Sequence, residues 1–176
     1  KLIIYGEGLN SLKKPNKTIY LGNSGTSARL LIGLLSAQNF ESTISGDTSL
    51  SSRPMNRIIE PLLKMGATIN SKDGKMPVEI IGKKLKNISY NLLIPSAQVK
   101  SGIILASLNV DGKTQIIENS ITRDHTEIML KSFGASIKKK FINGKIEIMI
   151  DGNVELKSKN ILVPSDLSSS AFFIVA

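Results

Sequence analysis

The sequence predicts an α/β (α+β) protein made of repeated βαβαββ units packed around buried parallel helices. Three observations carry this reading. The first is an internal repeat. Met65-Gly66-Ala67-Thr68-Ile69 is matched 68 residues on by Phe133-Gly134-Ala135-Ser136-Ile137, the turn at Gly74 is matched 70 on at Gly144, and the helix start at Ser24 is matched 72 on at Ser96. In a third helix start, Pro164-Ser165-Asp166, Ser165 lies 69 residues after Ser96. The second is a pair of helical stretches rich in small and aliphatic residues, the composition of helices packed together inside a domain. The third is the order within each unit: strand, buried helix, strand, amphipathic helix, two strands. A period of about 70 residues is too long for a solenoid. It describes a globular domain of a few similar units.

The elements follow in order. Leu2 to Tyr5 reads as a short apolar strand, followed by a polar, hairpin-like stretch with Pro15 and Asn16. Thr18 to Leu21 is strand-like and leads into Leu21-Gly-Asn-Ser-Gly-Thr-Ser-Ala-Arg-Leu-Leu31. Asn23, Ser24, Gly25 and Thr26 suit helix capping or unusual backbone angles, so a helix is expected from Ser24 to Gln38. Ser42 to Ser45 is a strand ending at Gly46-Asp47, and Thr48 to Arg53 reads as a polar loop. Pro54 fits the first turn of a helix over Met55 to Met65, with Gly66 as its cap. Ala67 to Asn70 and Val78 to Ile81 form a hairpin around Asp73-Gly74. In the second unit, Leu92 to Ile94 is a strand and Pro95-Ser-Ala-Gln98 opens a helix to Leu108. Gln115 to Glu118 is a strand. Asp124 caps an amphipathic helix ending at Gly134, and a hairpin turns at Asn143-Gly144. Gly33 and Gly102 fall mid-helix, where each costs about 1 kcal/mol. Close helix approach and simple tolerance account for them equally well.

Composition narrows the function. The 176 residues suffice for one domain with a core of its own. There is no Cys, which excludes disulfides and thiolate chemistry. The single His, with no carboxylate cluster at ligand spacing, argues against a metal site. No apolar run reaches the roughly 18 residues of a membrane span, and the default expectation is a cytoplasmic protein with neither a cofactor nor a membrane partner. The chain ends inside an apolar helical run, Ala171 to Ala176, and starts without Met, so it is expected to be cut from a longer chain.

The net charge of +9 suits nucleic acid, acidic membranes or anionic small molecules. The choice of cation separates these. Lys outnumbers Arg 19 to 4, and only Arg offers a planar fork that grips a carboxylate or phosphate with two bonds. Arg29, Arg53, Arg57 and Arg123 are dispersed, and aromatics make up only 5% of the chain. A nucleic-acid-binding module would gather its cations and aromatics on one face, so that alternative is the weaker one.

Parallel buried helices would bring their starts to one end of the domain. Asn23 to Thr26, Ser96 to Gln98 and Ser165 would meet there, with Asp47, Ser49 and Arg53 on one loop and Thr122, Arg123 and His125 on its equivalent. Helix N-termini carry free N–H groups and partial positive charge. Together with two Arg they describe a site for a multiply anionic ligand. Each member also has a plainer reading. Arg53 could be a solvated loop residue, Arg123 could pair with Asp124 or Glu127, His125 could make a structural hydrogen bond, and Arg57 could lie on a polar helix face. Arg29, the lone charge of its helix, either snorkels to the surface or reaches toward something negative.

These residues resemble a known family. Leu21 to Leu31 is similar to the LGNxGTxxR motif of the 5-enolpyruvylshikimate-3-phosphate (EPSP) synthases, and Gly46-Asp-Thr-Ser-Leu-Ser-Ser-Arg-Pro-Met55 resembles their GDxSLxxRPM loop. Ser96-Ala-Gln-Val-Lys-Ser101, Arg123-Asp-His-Thr-Glu127 and Val163-Pro-Ser-Asp-Leu-Ser-Ser-Ser-Ala-Phe-Phe173 resemble three more family motifs, in order. The resemblance implies a transferase of the shikimate pathway that leads to aromatic amino acids. It moves the enolpyruvyl group of phosphoenolpyruvate to the 5-hydroxyl of shikimate 3-phosphate and releases phosphate. It implies a fold of two domains built from six βαβαββ units, of which this chain is an incomplete part. Residues 1–163 would be a partial substrate-binding domain, the central part of one of the two (units of about 1–85 and 86–163), and residues 164–176 would be the truncated start of the other.

Carried over by motif, Gly25, Arg53 and Gln98 would contact phosphoenolpyruvate, with Asn23 and Thr26 on the same wall. Ser96, Ala97, Gln98 and Arg123 would hold shikimate 3-phosphate, with Thr122, His125 and Arg29 as further candidates. No catalytic residue is expected within the chain, because the family's acid/base Asp, Glu and Lys lie in the other domain. Ser165 departs from the family's usual Gly, Ser51 from a frequent basic residue and Thr122 from a common Ser. Gly25 keeps the small residue beside which glyphosate binds, which implies sensitivity of the intact enzyme to that inhibitor. The related UDP-N-acetylglucosamine enolpyruvyl transferases share the fold but carry different motifs and usually a reactive Cys, so the shikimate-type motifs speak against that alternative.

Overall fold

The structure is a computed structural model and describes residues 2–163. The first half contains β1 (Ile19–Tyr20), α1 (Gly25–Ser36), β2 (Glu41–Ser45), α2 (Thr48–Ser52), α3 (Asn56–Lys64), β3 (Thr68–Ser71) and β4 (Val78–Ile81). The second contains β5 (Ser89–Leu92), α4 (Ala97–Ser107), β6 (Lys113–Glu118), α5 (His125–Ser132), β7 (Ile137–Ile142) and β8 (Lys145–Asp151). Two four-stranded sheets form, in the orders β1-β2-β4-β3 and β5-β6-β8-β7. In each, the first two strands are parallel, as a helical crossover requires, and the other pairings are antiparallel. The predicted α/β class and its repeating unit are therefore present twice. The third helix start and the motif from Val163 to Phe173 lie, apart from Val163, outside the described residues.

Sheet patterning follows from one buried face. Ser42 and Ile44 of β2, Val78 and Ile80 of β4, Ile116 of β6, and Ile146, Ile148 and Ile150 of β8 point inward at alternate positions. The amphipathic helices end alike. Gly66 and Gly134 adopt φ of +90° and +95°, which a side chain would strain. The next residues close the turn: Ala67 N donates to Leu62 O and Ala135 N to Leu130 O, both at 2.9 Å.

The small-residue helices α1 and α4 pack against each other and run parallel. Gln98 Nε2 donates to Thr26 Oγ1 at 2.7 Å near their starts, and Asn109 Nδ2 donates to Ala37 O at 3.2 Å past their ends. Between these ties the backbones touch. A Cβ on Gly33 would collide with the Gly102 carbonyl, and one on Gly102 would sit 2.7 Å from Arg29 O. The mid-helix glycines thus mark close approach. Ser36 and Ser107, both buried, hold their hydroxyls by donating to Ile32 O and Ile103 O at 2.7 Å.

Four local expectations are corrected. Leu2 to Tyr5 forms no strand and stays largely exposed, because no described strand pairs with it. Thr48 to Arg53 is mostly the short helix α2, since Asp47 Oδ1 accepts from Leu50 N at 2.7 Å and starts a turn. The strand expected at Leu92 to Ile94 is Ser89–Leu92, because its partner β6 ends at Glu118, opposite Leu92. Asp124 precedes α5 without a side-chain cap bond. Its carboxylate instead accepts from Lys139 Nζ at 3.3 Å, which draws it below its usual range.

The glycine contact gives a direct test. Gly33→Ala should lose about 3 kcal/mol in denaturant unfolding, toward the upper end of overpacking costs. A site with room for the methyl group would gain up to about 1 kcal/mol from helix propensity, and such a gain would contradict the packing described.

Candidate functional site

The site starts at the turn between β1 and α1. Gly22 takes φ +55°, Ser24 N donates to Leu21 O at 3.1 Å, and Asp47 N donates to Gly22 O at 2.9 Å. The loop after β2 is thereby fastened beside the α1 start. Ser24 caps α1, its hydroxyl accepting from Ser27 N at 3.2 Å. Arg53, just after α2, then reaches back. Its Nη2 donates to Asn23 Oδ1 at 2.6 Å and to Ser49 Oγ at 3.3 Å. Gly25 is buried, and an added Cβ would lie 3.0 Å from Arg29 Nη1 and 3.2 Å from Arg53 Nη1. The missing side chain is what admits both guanidinium groups.

Arg29 settles into a bracing role. Its Nη1 donates to Gly25 O at 3.1 Å and to Gln98 Oε1 at 2.9 Å, and its Nη2 donates to Pro54 O at 3.3 Å. One side chain therefore ties the α1 start, the α4 start and the residue after Arg53. It also orients Gln98. Arg has only donors, so the amide oxygen faces Arg29 and the NH2 group faces Thr26. Burial lowers the pKa of Arg29, and the charges of Arg57 and Arg53 lower it further. Among the described residues, the ion pairs are all made by Lys, and no Arg has a carboxylate partner. Arginine charge is gathered here without an internal anion to balance it.

The structure joins Asn23, Gly25, Thr26, Arg29, Arg53 and Gln98 into one group. Ser96 and Ala97 adjoin it through the chain. Ser96 Oγ caps α4, accepting from Val99 N at 3.4 Å, and both residues are half-buried. Thr122 and Arg123 lie on the β6–α5 connection, His125 is the first residue of α5, and none of the three makes a side-chain hydrogen bond to the first group. Thr122 Oγ1 donates to Glu118 Oε1 at 2.5 Å, while Arg123 and His125 are exposed. Neither carboxylate weighed as a partner for Arg123 is available to it, since Asp124 pairs with Lys139 and Glu127 with Lys100. Arg57 is exposed on α3 and acts on Arg29 through charge alone. Such a set can bind and orient a polyanion. Among the described residues, no carboxylate or imidazole hydrogen-bonds to it as a proton carrier, no acid/His cluster could hold a metal ion, and no helix could cross a membrane.

One constellation was missed from the sequence. Lys100, Glu118 and Glu127 are buried together. The available signal was the one that singled out Arg29. Lys100 is a lone charge in an otherwise uncharged helix, and Glu118 occupies an inward register of β6.

A family model described as EPSP synthase (3-phosphoshikimate 1-carboxyvinyltransferase) matches residues 1–176. A Vesicomyosocius okutanii protein named 3-phosphoshikimate 1-carboxyvinyltransferase is 53% identical over 176 residues, 99% of this chain and 40% of its own length. A Ruthia magnifica protein of the same name is 55% identical over 174 residues, 98% of this chain and 39% of its own. The solved EPSP synthase of Acinetobacter baumannii superposes with a TM-score of 0.86 at 51% identity, covering 97% of this chain and 38% of that one. The chain thus spans about 40% of the length of the curated relatives it matches. By this match along its whole length, the chain belongs to the EPSP synthase family.

Proposed function

We propose that this chain supplies the substrate-binding half of an enzyme that transfers enolpyruvyl from phosphoenolpyruvate to the 5-hydroxyl of shikimate 3-phosphate, releasing phosphate. The observation that carries the reading is the gathering of Arg29 and Arg53 over Gly25, with Gln98 fixed beside them and no carboxylate paired to either Arg among the described residues. Like charges held together without a counter-ion favour an anionic ligand. Phosphoenolpyruvate carries a phosphate and a carboxylate, and Arg is the residue best shaped for both.

In this reading Gly25, Arg53 and Gln98 contact phosphoenolpyruvate, and Asn23 and Thr26 line the same wall. Ser96, Ala97, Gln98 and Arg123 hold shikimate 3-phosphate, with Thr122 and His125 beside them. Arg29 acts through Gln98 and the Gly25 carbonyl. Gln98 touches both ligands and would set their separation. The contribution is binding, alignment and electrostatic stabilisation. Residues 1–163 are part of the substrate-binding domain, as units of about 1–85 and 86–163, and 164–176 start another that brings the proton-transfer groups. The reaction belongs in the cytoplasm, its ligands are small anions, and it needs no cofactor, nucleic acid or membrane.

Calorimetric titration with shikimate 3-phosphate should find Arg123→Ala weaker than wild type by about tenfold or more, the loss of a charge-assisted hydrogen bond. Equal affinities would contradict the assignment. Glyphosate should inhibit the intact enzyme in competition with phosphoenolpyruvate, and undiminished turnover at high glyphosate would count against the role of Gly25. The 176-residue chain on its own should release no phosphate from the two substrates, and measurable turnover would refute the division of labour.

A further inference from the structure

We propose that Lys100, gripped by Glu118 and Glu127, is a positioning residue that locks the Arg123 loop against the start of α4. The proposal rests on the assignment of Arg123 to shikimate 3-phosphate. Lys100 lies in the first turns of α4, just after Ser96, Ala97 and Gln98, and is fully buried. Its Nζ donates to Glu118 Oε2 at 3.2 Å and stands 2.7 Å from Glu127 Oε1. Glu118 is the last residue of β6, and Glu127 sits in the first turn of α5. Three elements therefore meet at one ammonium group, and the carboxylates bracket the connection from 119 to 124.

That connection has little else to hold it. Residues 119–121 are exposed, Ile121 at 80% of its surface. The second oxygen of Glu118 accepts from Thr122 Oγ1 at 2.5 Å, so the restraint runs from Lys100 through Glu118 to the neighbour of Arg123. On the far side, a hydrogen bond of 2.7 Å joins Ser101 Oγ of α4 to Thr126 Oγ1 of α5. Arg123 itself makes no ion pair among the described residues. Its place is set by its neighbours.

The charge count argues that the cluster serves more than stability. Two buried carboxylates share one ammonium, and neither Glu127 oxygen has a geometrically sound hydrogen bond among the described residues. A buried ionic cluster is often no more stable than apolar residues of similar volume. What it adds here is direction. Glu118 presents one oxygen to Lys100 and the other to Thr122, and no apolar side chain could do both.

The test uses the intact enzyme containing this chain, and compares wild type, Arg123→Ala and the uncharged triple variant Lys100→Met, Glu118→Leu, Glu127→Leu. The triple variant should melt no lower than wild type. Its KM for shikimate 3-phosphate should rise tenfold or more, with kcat and the KM for phosphoenolpyruvate within threefold of wild type. A stable triple variant with the wild-type KM for shikimate 3-phosphate, while Arg123→Ala raises that KM, would overturn the lock and leave the site assignment standing. An unchanged KM in Arg123→Ala would overturn the site assignment, and the lock with it. If the triple variant does not fold, the near-isosteric Glu118→Gln carries the same comparison, with the same rise expected and the same constancy contradicting it.

Discussion

The backbone contact between α1 and α4 is the constraint on which the rest of the molecule depends. Gly33 and Gly102 bring the two helices so close that a methyl group on Gly33 would strike the opposing carbonyl. Contact at that range fixes both separation and register. The register places Thr26 and Arg29 within hydrogen-bond reach of Gln98 at one end, and Ala37 within reach of Asn109 at the other. Because the helices are parallel, both N-termini emerge together. Aligned helix dipoles placed side by side repel one another, and their positive ends add to the arginine charge at the same spot. Packing at the middle of the helices holds together what electrostatics at their ends would separate, and an anion at the shared end relieves the repulsion.

The two cation types divide the work. Lysines make the ion pairs among the described residues, and all but the buried Lys100 make them at least partly in solvent. Exposed pairs of this kind contribute little, and they leave the arginines unmatched. The difference is chemical. A strongly hydrated ammonium suits the surface, whereas the planar fork of Arg29 serves two carbonyls and an amide at once. The result is a rigid group, braced by Arg29, beside a loop whose Arg123 points into solvent and is held through its neighbours.

The repeat was legible because the same signals recur at the same spacing. Gly66 and Gly134 occupy equivalent left-handed caps, and Ser24 and Ser96 start equivalent helices. The convergence of the helix starts was legible too, since Asn23, Gly25, Thr26, Arg53 and Gln98 do meet. Local patterning failed where tertiary partners decide. Leu2 to Tyr5 has the composition of a strand but no described neighbour to pair with, and β5 stops where β6 stops. Asp124 has the chemistry of a cap, yet Lys139, from the next strand, β7, takes its carboxylate. The role of Arg29 and the cluster around Lys100 stayed hidden for the same reason. A lone charge in an apolar helix announces that a partner exists, and the partner's identity is written only in the fold.

A crystal structure of the intact enzyme grown with shikimate 3-phosphate and glyphosate would show directly where the two ligands sit. The expected placement has glyphosate over Gly25, within hydrogen-bond distance of Arg53 and Gln98, and shikimate 3-phosphate against Ser96, Gln98 and Arg123, with Arg29 still bonded to Gln98. Ligands seated elsewhere, for instance among Lys83, Lys84 and Lys86 in the groove beside Asp111, would contradict it.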